Sequence, residues 1–126
     1  MSSENIGHTR SAAAAADLSA KQFYIVKLSS TGTVDLAAAA TENIIGVLQN
    51  TPVSAEQAVY AFTGVAKVKA GGTIAVGAFV TADSAGKAVS TTTDGDVVIG
   101  RFIGTAAAAS GDLVEVQLGI QHLYIA

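Results

Sequence analysis

From Gln22 onward, apolar and polar positions alternate along most of this chain with a period of two. In "DLVEVQLGIQ", Val114, Val116, Leu118 and Ile120 fall on one side while Glu115 and Gln117 fall on the other, as in a strand with one buried face. In "GVAKVKA", Val65, Lys67 and Lys69 share one face, and Ala66, Val68 and Ala70 share the other. "QFYIVKL", "NIIGVLQN", "AFVTA", "KAVST" and "VVIGRFIGTA" are rich in β-branched and aromatic residues, which suit a pleated surface. "STGT", Gly71-Gly72, "DSAG" and "TTDGD" separate these runs and supply turns, the Asp-Gly pair being a strong hairpin signal. "AVYAFTGVAKVKA" reads as one long strand bent or bulged at Gly64. No segment sustains a 3.6-residue period, and only Thr105 to Ser110 is suited to a single helical turn. The expectation is an all-β fold: a small β-barrel or sandwich of short antiparallel strands, with Val76, Val80, Val98, Phe102, Val114, Val116 and Leu118 in its core.

The first twenty residues follow a different pattern. Between Met1 and Ala20 the chain is polar and then alanine-rich, with Ile6 and Leu18 as its large aliphatic residues. A helix as short as Ala12 to Ala16 is marginal in water, so residues 1–20 read as an extended N-terminal arm that orders only against a partner. Residues 21–126 then form a single β domain. Deleting Met1 to Ala16 is accordingly expected to leave the melting temperature unchanged while weakening attachment to that partner.

Composition sharpens this picture. Half of the 126 residues are apolar and 13% are charged, against about 25% charged in an ordinary soluble domain. So few charges imply apolar surface hidden against copies of the chain or another protein. The net charge of -3 leaves no basic footprint for nucleic acid. With no cysteine, disulfides and thiolate metal sites are excluded. No apolar run approaches the ~18 residues of a membrane helix. The alanine run in "HTRSAAAAADLSA" is too short and too weakly apolar to act as a secretory signal.

The reactive inventory is thin. No nucleophile elbow, His-x-x-x-His pair or phosphate-binding glycine loop occurs. His122 lies at a strand end without a spaced carboxylate and reads as structural. Asp94-Gly95-Asp96 offers two carboxylates but no bidentate Glu, so it reads as a hairpin turn rather than a calcium loop. Lys87 re-enters a strand after Gly86 rather than capping a tip, unlike the modified lysine of lipoyl or biotinyl carriers, and reads as a solvated face. No cofactor and no catalytic site are expected.

The order of segments resembles the capsid decoration, or cement, proteins of tailed phages. "DLSAKQFYIVKLSSTGTV", "IIGVLQNTP", "TGVAKVKAGGTIAVGAFVTADSAGKAV", "VVIGRFIGTA" and "GDLVEVQLGI" follow one another as in that family, from Asp17 to Ile120. The resemblance implies a non-enzymatic β module on the outer surface of the virion head. It would bind the major capsid protein, stabilise the lattice against internal DNA pressure, and assemble as a homotrimer, with synthesis in the host cytoplasm. Such proteins fasten through extensions, which places Ile6, His8, Thr9 and Arg10 of the arm as candidate capsid contacts. The alternative is a receptor- or glycan-binding β module, which calls for clustered exposed aromatics. The Tyr and Phe residues fall mostly inside strand patterns, which disfavours it.

Overall fold

The computed structural model describes residues 5–104 and 108–122, with side chains from 7 to 120 apart from 105–107. Its early strands are β1 (Asn5–Ile6), β2 (Thr9–Ala13), β3 (Ile25–Leu28), β4 (Val34–Leu36) and β5 (Ile44–Leu48). They are followed by β6 (Gln57–Ala61), β7 (Gly64–Lys69), β8 (Phe79–Ala82), β9 (Ala88–Ser90), β10 (Val97–Phe102) and β11 (Leu113–His122). No helix is present among the described residues, and the all-β expectation holds.

The strands form two antiparallel sheets. One has the order β1-β7-β11-β10-β8-β9 and the other β2-β6-β5-β3-β4. Both curl until their ends approach. Ala70, just past β7, bridges Ala88 in β9, and Ala14, just past β2, bridges Val34 in β4. "AVYAFTGVAKVKA" is therefore two strands in different sheets. The break at Gly64, where φ is +86°, is the crossover between them rather than a bulge within one strand.

The main core lies between the sheets. Ile25, Ile44 and Val47 from the five-stranded sheet meet Ala66, Val68, Val80, Ile99, Phe102, Val114 and Val116 from the six-stranded one. Alternation along β7 and β11 holds as expected: Ala66, Val68, Ala70, Val114 and Val116 are buried, and Leu118 and Ile120 pack half-buried against this core. Val80, Val98 and Phe102 are buried as well.

Val76 is a correction, being 55% exposed. The alternation after Ile74 is interrupted by a turn at Val76-Gly77, where Gly77 has φ +82° and its N–H donates to the Phe102 carbonyl. Val76 therefore falls out of the register that buries Ile74.

The N-terminal segment is a second correction to the reading of a free arm. Asn5 and Ile6 pair with Val65 and Gly64, and Thr9 to Ala13 pair along β6 from Ala61 to Gln57. Beyond β2 the chain crosses the second face of the five-stranded sheet. There Ala14 and Leu18 are buried with Val26, Val34, Leu48 and Ala58 in a smaller core. The Leu18 N–H donates to the Pro52 carbonyl, and the Ala15 N–H to Val34. Polar and alanine-rich residues order here because an edge strand needs only backbone pairing, and small side chains fit a tight curl.

Two β-bulges set the curl, one where β3 pairs β5 and one where β10 pairs β11. At each, an Ile-Gly sequence places a glycine against the neighbouring strand. A Cβ on Gly46 would collide with the Ala61 carbonyl oxygen, and one on Gly100 with that of Gln117.

Candidate functional site

The strand pattern of the five-stranded sheet gives it two apolar faces, and only one is covered throughout. Its second face is roofed at one end by Ala14 and Leu18. Beside this roof a groove opens at the margin where the two sheets meet, so that main-core residues Ile44, Val97 and Ile120 reach it along with Ile45 and Tyr60 of the second face. In its middle, Leu28, Ile44, Ile45, Val97 and Ile120 surround about 300 Å³. At one end Arg10, Tyr60 and Phe62 join Ile44, Ile45 and Ile120 around about 440 Å³. The opposite end is polar, where Lys27, Ser29, Asp35, Glu42 and Asn43 approach Leu28.

At the aromatic end, the His8 ring stacks on Phe62 with centroids 6.0 Å apart, and its Nδ1 lies 3.0 Å from the Thr63 hydroxyl. Tyr60 is tilted against Phe62 at 6.4 Å. Arg10 stands opposite Tyr60 in the β2–β6 ladder and, among the described residues, makes no ion pair. Thr9, Arg10 and Ser11 are all exposed.

At the polar end, Lys27 Nζ donates to Glu42 Oε2 at 2.6 Å, with both side chains about three-quarters covered. The Ala38 N–H also donates to the Glu42 carboxylate. The hydrogen bond from Lys27 is the main reason that the Glu42 carboxyl sits below its ordinary value, and the bond to Glu42 raises the Lys27 ammonium. A carboxylate paired with Lys27 and held by the Ala38 N–H is a structural clamp on the 38–42 loop.

The other candidate groups fall into structural roles. The Asp96 carboxylate is buried and accepts from the Thr91 hydroxyl at 2.6 Å, which fastens the Asp-Gly hairpin. Asp83 accepts the backbone N–H groups of Ala85 and Lys87, so Lys87 is set by a turn. No cluster of three metal-ligating side chains occurs among the described residues. His122 pairs with Val97 through its backbone, while its side chain, like that of Ile6, lies outside the described ones. The possible helical turn from Thr105 lies partly outside the described residues, and Ala108 within it bridges Ile74.

Of the four arm residues singled out in the sequence, His8, Thr9 and Arg10 are thus placed side by side on an exposed sheet edge. Sequence reasoning missed Tyr60, Phe62, Ile45 and Leu28, which line the groove beside them. Alternation in "QAVYAF" was the available signal, but it does not say which strands of the other sheet come to lie beside it.

The described residues thus form a curled two-sheet β module with an open apolar groove at one margin. Residues 2–118 match the family model of phage cement proteins, and the chain belongs to that family. The match begins well before Asp17, so the N-terminal segment is part of the family pattern rather than outside it. Among solved structures, the crystal structure of the head fiber gp8.5 N base of bacteriophage phi29 shares the fold. Its TM-score is 0.67 at 19% identity, over 94% of this chain and 98% of that one. No curated protein matches the chain.

Proposed function

We propose that this protein is a non-enzymatic head decoration module that binds the outer surface of the assembled major capsid protein lattice and stiffens it against internal pressure. The observation that carries the reading is the family match over nearly the whole chain. The open groove and exposed β2 edge support it, because they give the molecule a surface suited to protein. His8, Thr9 and Arg10 on that edge are the proposed capsid contacts, with Ile6 adjoining them in sequence.

The experiment is co-sedimentation of the purified chain with assembled, DNA-free heads, followed by thermal rupture of decorated and bare heads. Saturable decoration and a higher rupture temperature are expected. Failure to pellet with heads overturns the proposal.

A trimer is part of the same reading. Scattered exposed apolar residues such as Leu28, Val53, Ile103 and Leu113 are surfaces that a closed ring can cover. Light scattering at micromolar concentration is expected to give three times the chain mass, and a monomer there overturns it.

A further inference from the structure

The β2 edge carries a second kind of information beyond exposure. The Phe62 N–H donates to the His8 carbonyl, and the Ala14 N–H donates to the Glu56 carbonyl. In an antiparallel ladder, backbone groups point alternately toward the partner strand and away from it. The even-numbered residues of β2 thus face β6, and the N–H and C=O groups of Thr9 and Ser11 point outward. β2 is a terminal strand of its sheet, bridged to β4 only from Ala14 onward. An exposed stretch with outward backbone groups is a template for one more strand.

The surroundings of that edge are specific. A strand laid beside Thr9 and Ser11 runs past Arg10, an exposed cation with no ion-pair partner among the described residues. Tyr60, Phe62 and Ile45 border the adjoining apolar space of about 440 Å³. Its occupant therefore needs an acidic side chain for Arg10 and an apolar one on the same face, two positions away, for the space beside Tyr60.

We infer that β2 is an acceptor edge, completed by an extended segment of the capsid protein that adds as a sixth strand to the five-stranded sheet. The segment is apolar and acidic at alternate positions. This inference rests on the proposed binding to heads and says how that binding is made. It reverses the expected arrangement, in which this chain's own N-terminus is the donated strand. Those residues are already occupied in pairing β6 and β7, and what they offer outward is an edge. Strand addition draws affinity from main-chain hydrogen bonds and specificity from the side-chain positions.

The test compares Ser11→Pro, Ser11→Ala and Arg10→Glu in the full chain, each titrated against assembled, DNA-free heads. Proline removes the outward N–H of Ser11 and is tolerated on an edge strand. Alanine keeps that N–H. Ser11→Pro and Arg10→Glu are each expected to weaken binding by about tenfold or more, and Ser11→Ala by less than about twofold. If Ser11→Pro decorates heads as tightly as the parent chain, the inference is overturned while the proposed function stands. If the parent chain itself does not bind heads, the proposed function fails first. Should Ser11→Pro not fold, amide hydrogen exchange of the parent chain decides: protection of the Thr9 and Ser11 amides on heads supports strand addition, and unchanged exchange overturns it.

Discussion

Gly100 and Gly119 both sit in strands of the six-stranded sheet, yet only one is needed there. A Cβ at Gly100 meets the Gln117 carbonyl inside the β10–β11 bulge, whereas a Cβ at Gly119 meets open space. Gly100→Ala is expected to cost about 2–4 kcal/mol, because two backbones must separate to admit the methyl. Gly119→Ala is expected to fall within about 0.5 kcal/mol of the parent. Urea unfolding of the two variants reads the difference. Phe23 is a second special residue, with φ at +72°. Its N–H donates to Leu48 in one sheet and its carbonyl accepts the Lys69 N–H from the other, so this left-handed residue ties the sheets together. Both replacements lose the ring, but alanine also keeps the cost of a left-handed backbone. Phe23→Gly is expected to be about 1 kcal/mol more stable than Phe23→Ala in the same assay. Neither position was legible beforehand: "QFYIVKL" reads as uninterrupted strand, and nothing in it marks a positive φ at an aromatic.

At the scale of elements, β2 changes the expected effect of truncation. Removing Met1 to Ala16 strips β6 of its neighbour on one side and takes away Ala14, which is buried in the second core. The melting temperature is expected to fall by about 10 °C rather than stay unchanged, measured by circular dichroism. The 38–42 loop supplies a pH dependence. Because the Glu42 carboxyl is held below its ordinary value of 4.5 in the folded chain, its contribution is complete above that value. It is lost as the pH falls through the lowered folded value. Glu42→Gln is therefore expected to flatten part of the decline in melting temperature between about pH 5 and pH 3. A decline identical to that of the parent chain contradicts the assignment.

For the whole molecule, the main core draws on both sheets, so neither is expected to unfold alone. Ile99→Ala, at a fully buried site in that core, is expected to cost about 2–5 kcal/mol. Far- and near-ultraviolet transitions should still coincide, as one cooperative event. Two separated transitions show instead that the sheets are independent. By itself, the sequence determined the all-β class, the positions of most strands and turns, the inward faces of β7 and β11, and the order of segments by which the family is recognised. Those features are local: a two-residue period and turn chemistry act between near neighbours in the chain. Tertiary structure alone decided that "AVYAFTGVAKVKA" divides between sheets, that Val76 turns outward, and that the alanine-rich start becomes an edge strand and a roof. It also decided which margin between the two sheets stays open beside Arg10 and Tyr60. Each of these depends on which strands meet across long stretches of chain, and a weakly apolar segment takes whatever order its partners' free backbone groups provide.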